Sequence, residues 1–370
     1  MTGMAERSPL KAVNPALMAV VILLAAYGSV MVRSAVSGMD AGDAMFRRHL
    51  LGLVIGIVPL AVAWAIDYRK LQGWVGPLLA LDAFLILSPL IPGLGGSAKG
   101  AQLWLEVAGV RLFQPSEPAK LVFIVVLAAV IAGFKGRIET PREVLRVVGI
   151  AAIPFVLVVA VGDLGTGLVF IAITLGMLLV GGLRARWFLV FALVGVLSMG
   201  VVLKAGLLQD YQVNRLMVFV DPTLDPTGAG YNLEQSKIAI GSGELTGKGL
   251  GLSTQGNLNF LPERHTDFIF SVLGEELGFA GAVLLLGLYL ALLITALEIS
   301  ASARDLFGSL IAVGIIAMWT FQILENVGMT IGLMPITGIP LPFMSFGSSF
   351  MVTNMAAVGM LLSVWTRRYS

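Results

Sequence analysis

Asp267 is the side chain in this sequence best placed to take a proton. It stands in the run LPERHTDFIFSVLGEELGF (261–279), directly ahead of a long apolar stretch and behind the polar segment 205–266. A carboxylate at a membrane boundary is costly unless it has a task or a partner. Thr266 is placed to cap a helix beginning near Asp267. A helix N-terminus favours the charged carboxylate, while burial favours the protonated acid. A carboxylate held between these effects suits a general base near neutral pH. On a helix, Asp267, Ser271, Gly274 and Gly278 fall at i, i+4, i+7 and i+11 and share one face, small and polar enough to admit a headgroup. The plainer reading is that small residues admit a neighbouring helix and that Asp267 is only a cap. Residue types alone leave both open.

A second constellation, QPSEPAK (114–120), opens another apolar stretch. Ser116 reads as an N-cap, and Pro118 is tolerated in a first turn. Glu117 and Lys120 are i, i+3 neighbours and can pair. Lys120 then lies one turn inside the membrane, either as a cation for a phosphate-bearing lipid or as half of a structural ion pair. Trp104, upstream in LWLEV, is an interface anchor or a ligand contact. Asp163, in GDLGTG, reads first as a turn or cap residue. Asp82, within LALDAFLIL, is expected to face another helix and to hydrogen-bond there, without chemistry. The segment 327–346, VGMTIGLMPITGIPLPFMSF, is apolar yet broken by Gly332, Pro335, Gly338, Pro340 and Pro342. Non-helical backbone at membrane depth is tolerated only against protein or a water-filled cavity, so this segment is expected to be re-entrant or cavity-lining. Gln322 and Asn326, one turn apart before it, are expected to point inward.

These groups need a scaffold, and composition names its class. The chain is 57% hydrophobic and 12% charged, far below the roughly 25% charge of soluble domains. It has no cysteine, hence no disulfide or thiolate chemistry, and its two histidines, His49 and His265, make a His-rich metal site unfavourable. A net charge of +2, scattered over the loops, gives no nucleic-acid footprint. The first apolar stretch lacks a small-residue cleavage site and reads as a retained helix. About 20 apolar residues cross a bilayer, and ten stretches qualify, near 15–33, 50–66, 75–91, 116–134, 146–162, 164–182, 187–204, 267–296, 306–326 and 345–366. The fifth and sixth are expected to form a tight hairpin. The connections 162–166 and 327–344 carry no Lys or Arg, which places them outside and both termini in the cytoplasm. The loops 92–115, 205–266 and 327–344 then share the outer face. In 205–266, LEQSKIAI and QDYQVNRLMVFV are expected to be short interfacial helices. The expected fold is an all-α integral membrane protein. It is a bundle of ten transmembrane helices forming one polytopic domain over 1–370, with a long extracytoplasmic loop, about 205–266, between helices 7 and 8.

Taken together, FQPSEPAKL, DLGTGL, DPTLDPTGAGYNLEQSKIAIGSGELTGKGLG, LPERHTDFIFSVLGEELGF and GMTIGLMPITGIPLPFMSFGSS resemble the SEDS family of bacterial cell-wall polymerases, the RodA, FtsW and SpoVE group. The resemblance covers nearly the whole chain, and LPERHTDF and GMTIGLMPITGIPLPF are most similar to the RodA branch. It implies a peptidoglycan glycosyltransferase of the bacterial plasma (inner) membrane. Such an enzyme polymerises lipid II on the outer face during cell-wall elongation and shape maintenance. It also implies a class B penicillin-binding protein (a transpeptidase) and other elongation-complex proteins as partners. The essential aspartate of the family's HTD motif carries over onto Asp267, the Glu and Lys of its QPSE…K motif onto Glu117 and Lys120, and its preceding tryptophan onto Trp104. The wider substrate-binding set takes in Asp163, His265, Thr266, Ser271 and Ser345. Lys120, Arg215, Lys248 and Arg264 are candidate cations for the departing diphosphate. A divalent ion, magnesium or manganese, is compatible with that step, but no residue cluster has metal-site spacing and no cofactor is assigned. Three positions depart from the family pattern: Leu103 stands where arginine is usual, with Lys99 or Arg111 as conceivable substitutes for its charge. Gly162 stands for proline, and the usual SYGGSS reads Ser345-Phe346-Gly347-Ser348-Ser349-Phe350. The rival readings are a lipid II flippase, a membrane scaffold that only recruits a transpeptidase, and a division-type FtsW paralogue.

Overall fold

The computed structural model describes residues 13–98, 101–107, 110–204, 206, 210–257 and 260–369. Ten helices follow the ten expected spans in order: α1 (Pro15–Ala35), α2 (Gly42–Ala65), α3 (Val75–Leu87), α4 (Ser116–Ala132), α5 (Pro141–Ala160), α6 (Leu164–Val180), α7 (Arg186–Lys204), and, after an interval holding α8 (Asp210–Val220), α9 (Ala229–Ser242) and the single turn α10 (Thr254–Asn257), α11 (Ile269–Ala301), α12 (Leu306–Ile331) and α13 (Ser348–Thr366). Six of the described helices are long and apolar enough to cross a membrane by themselves, and α3, α6 and α7 contribute shorter apolar stretches. The tenth, α4, is the short helix that carries Glu117 and Lys120.

Local sequence explains where these helices begin. Thr140 and Glu143 close a capping box at α5, with Pro141 at the first helical position. Asp163 caps α6 and Asp305 caps α12, each accepting a bond from a backbone amide of the first turn. The expected hairpin between α5 and α6 is present, and its turn uses Gly162 at φ 93°. Proline is locked near −65°, so the glycine at this departure from the family pattern is what this turn geometry requires.

Helix α12 is the hub: it packs against α4, α6, α9, α11 and α13, while α2 pairs along α13. Outward faces are apolar and exposed, including Ile22, Val54, Val58, Leu189, Val196 and Leu290. Contiguous apolar surface on that scale is untenable in water and matches a lipid environment.

Four features differ from the sequence expectation. The segment after α3 folds as a three-stranded antiparallel sheet, β1 (Gly95–Ala98), β2 (Ala101–Val107) and β3 (Val110–Phe113). Alternation in AQLWLEV and VRLF suits strands, but the segment is too short to stand out beside ten helices. Helix α12 runs to Ile331, five residues beyond the expected end at 326, and stops at Gly332 in the left-handed region. Helix α11 breaks at Gly278, where the loop backbone of Gly243 and Gly247 presses in. Asp82 is buried, but neither carboxylate oxygen has a hydrogen-bond partner among the described residues. Its helix packs on α4 and α5, whose stretches LVFIVVLAAVIA and VVGIAAIPFVLVVA offer no polar side chain.

Candidate active site

The HTD turn is held from below by its backbone. Residues 262–268 form turns, and α11 starts at Ile269 with Phe268 as an N-cap that makes no side-chain bond. Thr266 is therefore not the cap expected from sequence: its hydroxyl donates to the Glu263 carbonyl at 3.3 Å and to Glu263 Oε2 at 3.1 Å, closing the turn. Three successive carbonyls are each held by a different donor. The Phe346 amide donates to His265 O at 2.9 Å, Ser345 Oγ to Thr266 O at 2.7 Å, and Asn326 Nδ2 to Asp267 O at 2.8 Å. Ser345 in turn accepts from the Leu341 amide at 2.8 Å, and Asn326 also reaches Ile339 O at 2.7 Å. The irregular segment 332–347 thus wraps the turn; its glycines and prolines led one to expect non-helical backbone here, but not this contact. Phe346 lies between the two histidines, with ring centroids 5.4 Å from His265 and 6.4 Å from His49.

With its backbone pinned, Asp267 is half-buried and its side chain faces Gly338. Gly338 has φ 78°, and a methyl group built there would stand 3.1 Å from Asp267 Oδ2 and 3.8 Å from Arg215 Nη1. The carboxylate and the guanidinium therefore share one bare patch of backbone. Arg215 Nη1 also donates to Thr337 O at 3.0 Å, and the Thr337 hydroxyl donates to Glu325 of α12. Arg215, from α8, is brought to the aspartate across more than fifty residues of chain, a juxtaposition that spacing alone does not reveal.

The 337–339 stretch also borders the second constellation. A methyl group at Gly165 would meet Thr337 O and Ile339 at 3.3 Å, so the start of α6 abuts that stretch. Asp163 caps that helix, accepting from Thr166 N at 2.9 Å and Thr166 Oγ1 at 2.8 Å. Ser116 is not the N-cap of α4, where Pro115 stands without a side-chain bond; its hydroxyl instead lies 3.4 Å from Asp163 Oδ2. The expected Glu117–Lys120 pair is formed at 2.8 Å and is almost wholly buried. Lys120 Nζ sits 5.5 Å from the Phe350 ring centre at the start of α13, beside the bond from the Gln114 amide to Ser349 Oγ. Desolvating a pair of ions costs about what their attraction returns, so stability alone is a weak reason for this pair.

Other sequence candidates are placed elsewhere. Lys248 pairs with Glu275 at 2.6 Å, and Thr254 donates to the same carboxylate, so this cation ties the 248–255 loop to α11. Arg264 is buried and donates through Nε to Ala35 O at the end of α1, at 2.7 Å; burial pushes its guanidinium below the ordinary value. Ser271 is buried and bonds Ser236 of α9 at 2.6 Å, and Gly274 packs on Ile240. The small face of α11 therefore admits a helix rather than a headgroup. Trp104 lies half-buried in β2 opposite Gly96. Lys99, one conceivable substitute for the missing arginine, falls outside the described residues, as does the side chain of the other, Arg111. Among the described residues, no three His, Cys, Asp or Glu side chains group as a metal site. Sequence reasoning missed Glu325, although a carboxylate between the flagged Gln322 and Asn326 was itself a signal.

The arrangement can receive a proton at Asp267, with the Arg215 guanidinium close by, where a bundle of apolar helices meets polar loops. Fold and site define a polytopic membrane protein built to work on a polar group at the membrane boundary. The chain belongs to the FtsW/RodA/SpoVE family, described as cell cycle protein, whose model matches residues 15–370. It is 39% identical to the peptidoglycan glycosyltransferase MrdB of Escherichia coli K12, covering 96% of this chain and 94% of that one. Its fold matches a chain of a peptidoglycan synthase complex that coordinates polymerization and crosslinking, with TM-score 0.81 and 28% identity over 97% of this chain and 99% of that one. It also matches the rod shape determining protein RodA of Thermus thermophilus, with TM-score 0.72 and 27% identity over 97% and 98% of the two chains.

Proposed function

We propose that the protein is a peptidoglycan glycosyltransferase that polymerises lipid II into glycan strands during cell-wall elongation, with Asp267 as its general base. The observation that carries the assignment of the base is the pinning of His265, Thr266 and Asp267 by three separate donors, with the Asp267 carboxylate beside Arg215 at Gly338. A base is effective only where its position is fixed, and here the backbone beneath it is fixed residue by residue.

Asp267 takes the proton from the 4-hydroxyl of the acceptor sugar as that oxygen attacks the anomeric carbon of the donor. The bond from that carbon to the α-linked diphosphate breaks, the undecaprenyl diphosphate departs, and a β-1,4 bond forms with inversion. The base contributes about 10²–10⁴-fold; positioning and charge stabilisation supply the rest. Arg215, beside the Asp267 carboxylate, and Lys120, held by Glu117, are the cations offered to the diphosphate; Lys248 is tied to Glu275 and Arg264 to Ala35 O instead.

The site faces outward, and both termini lie in the cytoplasm. The connections without Lys or Arg, 162–166 and 327–344, support this reading, because the second of them wraps Asp267 and the first carries Asp163. A class B penicillin-binding protein, which cross-links the strands, is the partner; likeness to the synthase-complex chain supports this. The test is purified protein with purified lipid II, with and without that partner. Glycan strands are the expected product, and lipid translocation without polymer would overturn the proposal.

A further inference from the structure

We propose that Glu325 is a positioning residue for Asp267. It holds Thr337, and so fixes the irregular stretch Thr337–Gly338–Ile339 against which the Asp267 carboxylate and the Arg215 guanidinium are set. This inference rests on the reading of Asp267 as the base.

Glu325 lies on α12, one residue before Asn326, and is 1% exposed. One carboxylate oxygen accepts the Thr337 hydroxyl; the other has no hydrogen-bond partner among the described residues. Arg215 holds the carbonyl of the same Thr337, and Asp267 faces the next residue, Gly338, so all three groups meet at one stretch of backbone. Thr337 is doubly held, its hydroxyl by Glu325 and its carbonyl by Arg215 at 3.0 Å. Two residues on, Ile339 O is held by Asn326 at 2.7 Å. The middle residue, Gly338, is the surface that Asp267 Oδ2 approaches. Adjacent residues of α12 therefore clamp both ends of this stretch, and Asn326 also clamps the Asp267 carbonyl at 2.8 Å.

A purely structural role does not account for this side chain. Burying a carboxyl inside a helical bundle costs more than one hydrogen bond returns. An apolar residue at 325 would pack α12 without that penalty. What the carboxyl adds is a fixed acceptor for Thr337 directly beneath the reacting group, and displacing a positioned group by about 1 Å costs on the order of 10²-fold in rate.

The test is steady-state polymerisation of lipid II by the purified full-length protein, comparing Glu325→Ala, Glu325→Gln, Thr337→Val, Thr337→Ser, the double variant Glu325→Ala/Thr337→Val, and Asp267→Asn. Glu325→Ala and Thr337→Val should each lower kcat by about 10–100-fold, with KM for lipid II changed by less than about threefold. Glu325→Gln and Thr337→Ser, which keep the acceptor and the donor, should recover at least about tenfold of that loss. The double variant should be no worse than the poorer single, because both break one bond. Wild-type kcat in Glu325→Ala, or multiplying losses in the double variant, would overturn the proposal. Should Glu325→Ala not fold, Thr337→Val decides alone, and wild-type kcat there is equally fatal. Normal polymerisation by Asp267→Asn would instead sink the reading beneath; an inactive Asp267→Asn beside a fully active Glu325→Ala would sink only this one.

Discussion

The side-chain amide of Asn326 donates to the backbone carbonyl of Asp267 at 2.8 Å, and the same nitrogen donates to Ile339 at 2.7 Å. One residue of the central helix thereby joins the HTD turn to the segment that wraps it. Ser345 and Phe346 secure the two preceding carbonyls, so the position of the Asp267 carboxylate depends on a helix and a loop remote in sequence.

Removing the Asn326 amide should therefore misplace the base without removing it. Asn326→Ala leaves two carbonyls without their donor, at about 1–3 kcal/mol each where buried. Polymerisation of purified lipid II should show kcat reduced about 10–100-fold, with KM within about threefold. A selective rise in KM would point instead to a substrate contact.

Gly338→Ala adds a methyl group 3.1 Å from Asp267 Oδ2 at a backbone angle of φ 78°. Gly93 has φ 85° but nothing within 4 Å of the same added atom. Both substitutions carry roughly 1–2 kcal/mol of left-handed strain, so their melting temperatures should fall alike. Only Gly338→Ala should lower kcat, by about tenfold, because only there must the carboxylate move.

The buried Glu117–Lys120 pair separates folding from chemistry. Lys120→Met strands the Glu117 carboxylate, at about 3–5 kcal/mol, and should reduce the yield of folded protein. Combining it with Glu117→Leu removes both charges and should restore yield and melting temperature. If Lys120 also meets the diphosphate, the double variant stays inactive on lipid II. A folded double variant polymerising at the wild-type rate would reduce the pair to a structural contact.

Sidedness has a direct readout because the chain has no cysteine. Pro262 is exposed in the HTD turn, so Pro262→Cys gives a single reporter there. A membrane-impermeant maleimide should label it in intact cells with a permeabilised outer envelope, without lysis of the inner membrane. Labelling that requires lysis would put the site on the cytoplasmic side.

Much of this was legible in the sequence, for identifiable reasons. The spans are read from apolar length, the Glu117–Lys120 pair from i, i+3 spacing, and the irregular 332–347 segment from its glycines and prolines. What stayed hidden depends on contacts distant along the chain. Ser271, Gly274 and Gly278 look like an open small face until α9 and the 243–247 loop are seen lying on it. Lys248 looks like a cation for phosphate until Glu275 is found beside it. Thr266 would cap a helix that began at Asp267, but the helix starts two residues later and the hydroxyl closes a turn instead. Arg215 and Glu325 reach Asp267 only through the fold.

The most direct measurement is the rate of glycan formation by purified Asp267→Asn from purified lipid II, with the class B partner present and lipid II binding recorded on the same preparation. The amide keeps the shape of the side chain and loses its capacity to accept a proton. The account predicts a folded protein that binds lipid II and forms no polymer above background. Strands made at the wild-type rate would contradict it.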